Sequence, residues 1–143
     1  MDQRMLSRWH EVCERWQGGV GYRSLSEGER MWLNTRALID SIENGGLISY
    51  FYNSYADTLS DCLDALDQLG AHDVAHQVRR VCALFHGGVP DSIKSRNDII
   101  NLWPDYNPQI NATLEDVDDC LMPLMPDLER RLTNFLHDAG LAT

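Results

Sequence analysis

One stretch near the middle of the chain decides the fold: Asn44-Gly45-Gly46-Leu47-Ile48-Ser49-Tyr50-Phe51-Tyr52-Asn53-Ser54. Its two adjacent glycines accept positive φ at little cost, which a helix end and a sharp reversal of the chain both need. The apolar run that follows predicts a short helix packed on the core, and a polar residue after it is suited to cap the next helix. We interpret this motif primarily as architecture, carried by Asn44, Gly45, Gly46, Tyr50, Phe51, Asn53 and Ser54.

Helices are predicted on both sides of this motif, because apolar residues recur there at helical spacing. The predicted segments run from about Gln3 to Trp16, Ser26 to Asn44, Tyr55 to Leu69, Asp73 to Phe85 and Asp91 to Leu102. Ser26 and Glu29 have the spacing of a capping box at the start of the second segment. Trp9 and Trp16 are expected to pack inward from the first.

Prolines punctuate the C-terminal third of the chain. Residues 103–111 predict an ordered loop, and Trp103 within it is a candidate exposed interface anchor. Thr113 and Asp116 are candidates to cap a helix that meets Pro123, and Pro126 suits the first turn of a last helix ending near Ala139. The sequence thus predicts an all-α fold of about six to seven helices in one compact domain, 1–143, with a core at about 25–85 and C-terminal helices at about 113–140.

The composition is strongly acidic, with 22 Asp and Glu against 12 Lys and Arg and a formal net charge of -10. This balance argues against direct binding to nucleic acid or anionic membranes and favours a basic partner. No segment approaches the ~20 apolar residues of a membrane span, and the N-terminus lacks a signal-peptide pattern, so we expect a cytoplasmic protein. The four widely spaced cysteines are expected to be reduced.

The acidic residues are concentrated in two windows that contain no Lys or Arg, from Ala37 to Val78 and from Asn97 to Glu129. In the first, Asp57, Asp61, Asp64 and Asp67 form a row on the predicted helix; the second holds Glu115, Asp116, Asp118 and Asp119. Neighbouring carboxylates in a helical row lie roughly 5 to 6 Å apart along the axis, comparable to phosphates along a nucleic-acid strand. The rows therefore predict either a phosphate-like binding surface or an ordinary solvated face.

The Asn-Gly-Gly, Tyr-Phe and Asn-Ser pattern of residues 44–54 resembles that of a bacterial family once known only as a domain of unknown function, whose named representative is a DNA-mimic protein. Ala65-Leu66, Leu69-Gly70-Ala71, Ala75 and Leu84-Phe85 are similar to the continuation of that pattern. The resemblance covers about Leu25 to Phe85 and weakly the C-terminal helix, although Leu47 and Ser49 replace the usual Phe and Gln. It implies an all-helical fold and, for the characterised member, an acidic surface that binds a DNA-binding transcription regulator by imitating DNA.

Other residues offer weaker signs of chemistry. His72 and His76, at i and i+4, are spaced to share a metal ion, but a third ligand and the glutamate of the zincin pattern are missing. The pairs His10 with Cys13 and Cys82 with His86 lack an orienting group. We therefore predict no catalytic residue, no metal and no cofactor, and keep a small metal protein or enzyme using His72 and His76 as an alternative.

The leading hypothesis is a non-enzymatic inhibitor whose acidic rows occupy the basic nucleic-acid-binding face of a partner protein. That partner is a DNA-binding regulator or, in the alternative, a nucleic-acid-targeting toxin, in which case the chain is an immunity or antitoxin protein. A homodimer with a merely solubilising acidic face is a further alternative. Strong salt dependence is expected of either binding hypothesis.

Overall fold

The computed structural model describes residues 2–18, 21–103 and 108–141. Its helices are α1 (Gln3–Gln17), α2 (Glu27–Gly45), α3 (Leu47–Phe51), α4 (Leu59–Gln68), α5 (His72–Cys82), α6 (Ile93–Ile100), α7 (Pro108–Leu121) and α8 (Met125–Asp138). Short 3-10 turns cover Gly21–Ser24, Ser54–Thr58 and Met122–Leu124. The described residues contain no strand, and seven of these helices have eight or more residues, so the predicted all-α class is confirmed.

Helix α2 is the central element of the core. It packs against α3, α4 and α8, and Leu38 and Ile39 near its middle are completely buried. The predicted capping box is confirmed: the Ser26 hydroxyl accepts from the Glu29 backbone N–H, and the Glu29 carboxylate accepts from the Ser26 N–H. The start of α2 is therefore set locally by two side chains.

The glycine motif reverses the chain between α2 and α3 as predicted. Gly46 has φ +82°, and the apolar run after it forms α3, on which Tyr50 and Phe51 are completely buried. The capping prediction for Asn53 and Ser54 is wrong, because neither side chain accepts from a free backbone N–H of the segment that follows. The Asn53 amide instead donates back to the Ser49 carbonyl oxygen at 2.6 Å.

Helix α4 begins at Leu59, four residues later than predicted, because residues 54–58 form a 3-10 turn. The Thr58 hydroxyl donates to the Asn34 side-chain oxygen on α2 at 2.7 Å and also to the Tyr55 carbonyl oxygen. These bonds hold the turn against α2 in a conformation that an α-helix would not provide. Asp57 therefore precedes α4.

The C-terminal third differs from prediction at one helix start. Pro108 lies in the first turn of α7, where a proline is well tolerated, so residues 108–111 are helical and not a loop. Residues 104–107 of the predicted loop lie outside the described residues. Thr113 and Asp116 fall inside α7 and do not cap it, whereas Pro126 lies in the first turn of α8, as predicted.

The tryptophans extend the core. Trp103 is only 7% exposed, and its ring meets the Phe85 ring edge-on with centroids 4.9 Å apart, so its assignment as an exposed anchor is wrong. Trp9 packs on Trp32, with centroids at 5.5 Å, and Trp16 stacks on Tyr55 at 5.3 Å, as their predicted inward packing requires. The sequence could not show that aromatic residues distant in the chain meet in this way.

Candidate protein-binding surface

Helix α4 presents a polar side to solvent and an apolar side to the core. Cys62, Ala65 and Leu66 are buried, whereas Asp61 and Asp64 are exposed. This division follows from helical periodicity, which places i and i+3 on one side and their apolar neighbours on the other. Three members of the predicted acidic row, Asp61, Asp64 and Asp67, thus lie exposed on one helix.

A cleft of about 290 Å³ lies between α2 and α4. Glu27, at the start of α2, lines it together with Asp61 and Asp64, and Arg30 supplies a positive charge among them. Glu27 and Asp64 have no hydrogen-bond or ion-pair partner among the described residues. The cleft therefore leaves two carboxylates available to an incoming basic group.

A second cleft, of about 510 Å³, lies on the other side of Asp61. Asp57 and Asp91 line it with Asp61, and Leu63 and Val89 are among its apolar residues. The acids of the two clefts thus come from four segments: the start of α2, the 54–58 turn, α4 itself and the segment before α6. We call this set the α4 acidic face: Glu27, Asp57, Asp61, Asp64 and Asp91.

Sequence reasoning missed two members of this face, Glu27 and Asp91. Neither lies on α4 or in its predicted row, and each reaches the face only through the packing of its own segment against α4. No spacing in the sequence signals such a meeting. The two acidic windows therefore do not include every residue of the α4 acidic face.

Asp57 is held in place by a buried cation. Arg96 on α6 has no exposed surface, and its guanidinium donates to the Asp57 carboxylate at 2.6 Å. The same guanidinium donates to the backbone carbonyl oxygens of Phe51, Pro90 and Asn53. Arg96 thereby links the end of α3 and the segment before α6 to Asp57 of the α4 acidic face.

Asp61 is positioned by a network that starts on α2. The Tyr22 hydroxyl donates to the Asp61 carboxylate and accepts from the Asn34 amide, which is buried. Burial, followed by the hydrogen bond to Asp61, raises the pKa of Tyr22 to about 12. The hydroxyl therefore stays protonated at neutral pH and keeps donating to Asp61.

The second predicted row divides into exposed and structural members. Glu115 and Asp119 are exposed and have no partner among the described residues, and Asp116 pairs with Arg80 at 2.8 Å. Asp118 is half-buried and accepts from the Leu47 backbone N–H at 2.9 Å. The structure thus gives Asp118 an architectural role that its acidic neighbours do not share.

Helix α5 lies between the two predicted rows, because it packs against both α4 and α7. Arg79 on α5 pairs with Asp67 on α4, 3.4 Å away, and Arg80 pairs with Asp116 on α7. Arginines absent from the acidic windows in sequence therefore reach them in space. The unpaired negative charge is smaller than the sequence suggests.

The structure gives little support to a metal site at His72 and His76 or to a cysteine nucleophile. His72 and His76 are exposed, and residues 2–18, 21–103 and 108–141 hold no group of three or more His, Cys, Asp or Glu side chains arranged for a metal ion. Burial raises the pKa of the Cys82 thiol to about 11 and that of Cys13 above its ordinary value. A reactive cysteine requires the opposite shift.

The described residues form an all-α protein with an exposed acidic face around α4. The family model of DMP19-like proteins matches residues 23–139, and the chain belongs to this family, which is a family of DNA mimics. The match includes the Leu25 to Phe85 segment and also α6, α7 and the C-terminal helix α8. Neither the curated proteins nor the solved structures contain a significant match.

None of the described helices has the length and apolar character that crossing a membrane requires.

Proposed function

We propose that this protein is a non-enzymatic inhibitor whose α4 acidic face occupies the DNA-binding surface of a basic partner protein, a transcription regulator in the first instance. The observation that carries the proposal is the convergence of five exposed carboxylates, from four segments, around two adjoining clefts. Membership of a DNA-mimic family supports the same function. DNA-binding proteins place Arg and Lys against phosphates, so carboxylates in similar positions offer the same contacts.

Rigidity supports this role as much as charge does. Asp57 is fixed by Arg96 and Asp61 by Tyr22, while Asp64 lies one helical turn beyond Asp61, about 4.5 Å along the axis. Carboxylates that are already in position lose less conformational freedom on binding than free side chains do. The internal bonds of Asp57 and Asp61 therefore serve binding by fixing where negative charge is presented.

The second acidic row extends the proposed contact. Glu115, Asp116 and Asp119 lie exposed on α7, on the other side of α5 from α4, and Asp67 lies at the α5 side of α4. We assign them supporting contacts, because Asp67 and Asp116 already have arginine partners. Asp118 is assigned to the fold.

Capture from an extract of the native host tests the proposal. The full chain is immobilised, and retained proteins are eluted with duplex DNA, with single-stranded DNA or with buffer alone. We expect a DNA-binding protein that duplex DNA releases selectively, because the mimic and DNA compete for one surface. A partner that is retained through excess duplex DNA would contradict the proposal. If the captured partner were a nucleic-acid-degrading toxin, the immunity-protein alternative would replace the regulator hypothesis. Both hypotheses rest on the same attraction between an acidic face and a basic surface.

Two matched variants show whether the acidic face is responsible. Glu27→Gln with Asp64→Asn removes two charges from the face, and neither residue has a bond to lose among the described residues. Glu11→Gln with Glu14→Gln removes two exposed charges from α1, outside both clefts. We expect capture to fall only in the first variant. Equal loss of capture in both variants would show that net charge, and not the α4 acidic face, determines binding.

A further inference from the structure

The second cleft of the α4 acidic face has a mainly apolar floor, unlike the first. The first cleft has only Met31 as an apolar residue among those described in its lining, and Met31 is buried. Apolar side chains that are gathered in one exposed site indicate a protein-binding surface, whereas the same side chains scattered singly do not. The floor of the second cleft consists of side chains that are half-buried and therefore partly open to solvent: Leu59, Leu63, Cys82, Val89 and Pro90.

One buried cation joins two segments that line this cleft. The Arg96 guanidinium donates to the Asp57 carboxylate at 2.6 Å and to the Pro90 carbonyl oxygen at 3.0 Å. Asp57 belongs to the turn before α4 and Pro90 to the segment before α6, and both line the cleft. The lining is therefore preformed, which lowers the conformational entropy that binding costs.

Negative charge accompanies the apolar floor. Asp57, Asp61 and Asp91 are exposed members of the lining, and none of the described lining residues is Lys or Arg. Arg96 pairs with Asp57 from the interior, but the bond to Asp61 comes from the neutral Tyr22 hydroxyl, and Asp91 has no partner among the described residues. Two full negative charges therefore remain at this cleft, and an apolar group that enters is favoured when cationic groups flank it.

DNA-binding surfaces combine these two chemistries. Their Lys and Arg side chains contact phosphates, and apolar side chains among them contact base edges such as the thymine methyl group. We propose that the second cleft receives an apolar side chain of the partner protein that is flanked by Lys or Arg on the partner's DNA-binding surface. The inference rests on the proposed function and adds to it an apolar contact, which carboxylates placed like phosphates do not supply.

Three capped pentapeptides test the proposal on the full chain: Lys-Lys-Phe-Lys-Lys, Lys-Lys-Ser-Lys-Lys and Glu-Glu-Phe-Glu-Glu. Backbone amide signals in NMR titrations give the affinity of each peptide, and the methyl signals of Leu63 and Val89 report a phenylalanine ring on the floor through its ring current. We expect the first peptide to shift both methyl signals saturably with a Kd of about 1 mM. The serine peptide should bind at least about fivefold more weakly, because it lacks the apolar area that the floor covers. The glutamate peptide should leave both methyl signals in place, since like charges repel.

Matched leucine variants show whether the floor is responsible. Leu63→Asn makes the floor polar, and Leu124→Asn is the control, because Leu124 is also half-buried and lies outside both clefts. The first substitution should remove the advantage of the phenylalanine peptide over the serine peptide, and the control should keep it. Val89→Thr, which nearly preserves the shape of the side chain, should lower the same advantage with less risk to folding.

Equal affinities of the phenylalanine and serine peptides would overturn the proposal and leave charge-based mimicry standing. An advantage of phenylalanine that is unchanged in both Leu63→Asn and Val89→Thr would overturn it as well. A glutamate peptide that shifts the methyl signals as strongly as the lysine peptide would show that flanking basic residues are not recognised. Capture that duplex DNA does not reverse would instead contradict the proposed function, so the two failures are distinguishable.

Discussion

Asp118 on α7 accepts a hydrogen bond from the backbone N–H of Leu47, the first residue of α3, at 2.9 Å. The two residues are 71 positions apart in the chain. A carboxylate at a helix N-terminus satisfies a free N–H group and interacts favourably with the helix dipole. Asp118 thus caps the short helix that begins just after the glycine motif, from a different part of the fold.

Replacing Asp118 by alanine should lower the free energy of unfolding by about 1 kcal/mol, because a free N–H at the start of α3 loses its acceptor. Urea denaturation measures the change. Asp119→Ala is the matched control, since Asp119 is exposed without a partner among the described residues and should change stability by less than about 0.5 kcal/mol. Equal effects of the two substitutions would contradict the capping role.

Replacing Gly46 by alanine should destabilise the protein more than the same change at Gly87. Both glycines have φ +82°, but a Cβ at Gly46 would clash with the Asp118 carboxylate, whereas a Cβ at Gly87 would have no atom of the described residues within 4 Å. We expect a loss of about 1 kcal/mol at Gly87 from backbone strain and about 2 kcal/mol or more at Gly46. Urea denaturation again gives both values. Equal losses would show that Asp118 does not restrict residue 46.

Arg96→Met should lower the free energy of unfolding by about 3 kcal/mol or more. The substitution removes the donor for three backbone carbonyl oxygens and for Asp57 from a completely buried position. Thermal or urea unfolding measures the loss. Lys94→Met on the same helix is the control, because Lys94 is exposed and its only partner among the described residues is the exposed Asp98. A near-neutral Arg96 variant would remove the structural basis for the position of Asp57.

Tyr22 should make stability depend on alkaline pH. Its pKa is about 12 in the folded protein against 10.0 ordinarily, so the folded state holds this proton more tightly. The contribution is therefore fully present below pH 10 and is lost as pH rises to about 12. Compared with Tyr22→Phe, the wild-type protein should lose about 1 kcal/mol more over this range, less than the full shift implies because solvent screens a half-buried group. If the stability of the wild-type protein and of Tyr22→Phe changed equally with pH, the result would contradict the hydrogen bond from Tyr22 to Asp61.

Local features of the fold were predictable from sequence, and long-range ones were not. The capping box of α2 and the reversal at Gly46 depend on neighbouring residues, so their spacing revealed them. The late start of α4 depends on Thr58 bonding to Asn34, 24 positions earlier. The Arg96 to Asp57 bond spans 39 positions and leaves no periodic trace in the sequence.

The candidate surface was predictable in the same partial way. The exposure of Asp61 and Asp64 follows from the amphipathic pattern of one helix. The arrival of Glu27 and Asp91 beside them depends on tertiary packing. The acidic windows contain no arginine in sequence, yet arginines of α5 and α6 pair with their carboxylates in the fold. The pairs are Arg79 with Asp67, Arg80 with Asp116 and Arg96 with Asp57.

The salt dependence of binding to the captured DNA-binding partner tests DNA mimicry most directly. Calorimetric titration at about 50 mM and about 300 mM NaCl should show an affinity at least about tenfold weaker at the higher salt. Asp61→Asn with Asp64→Asn should weaken binding at low salt and flatten this dependence, while Glu11→Gln with Glu14→Gln should do neither. An affinity that barely changes with salt, or that survives the loss of Asp61 and Asp64, would contradict the central claim.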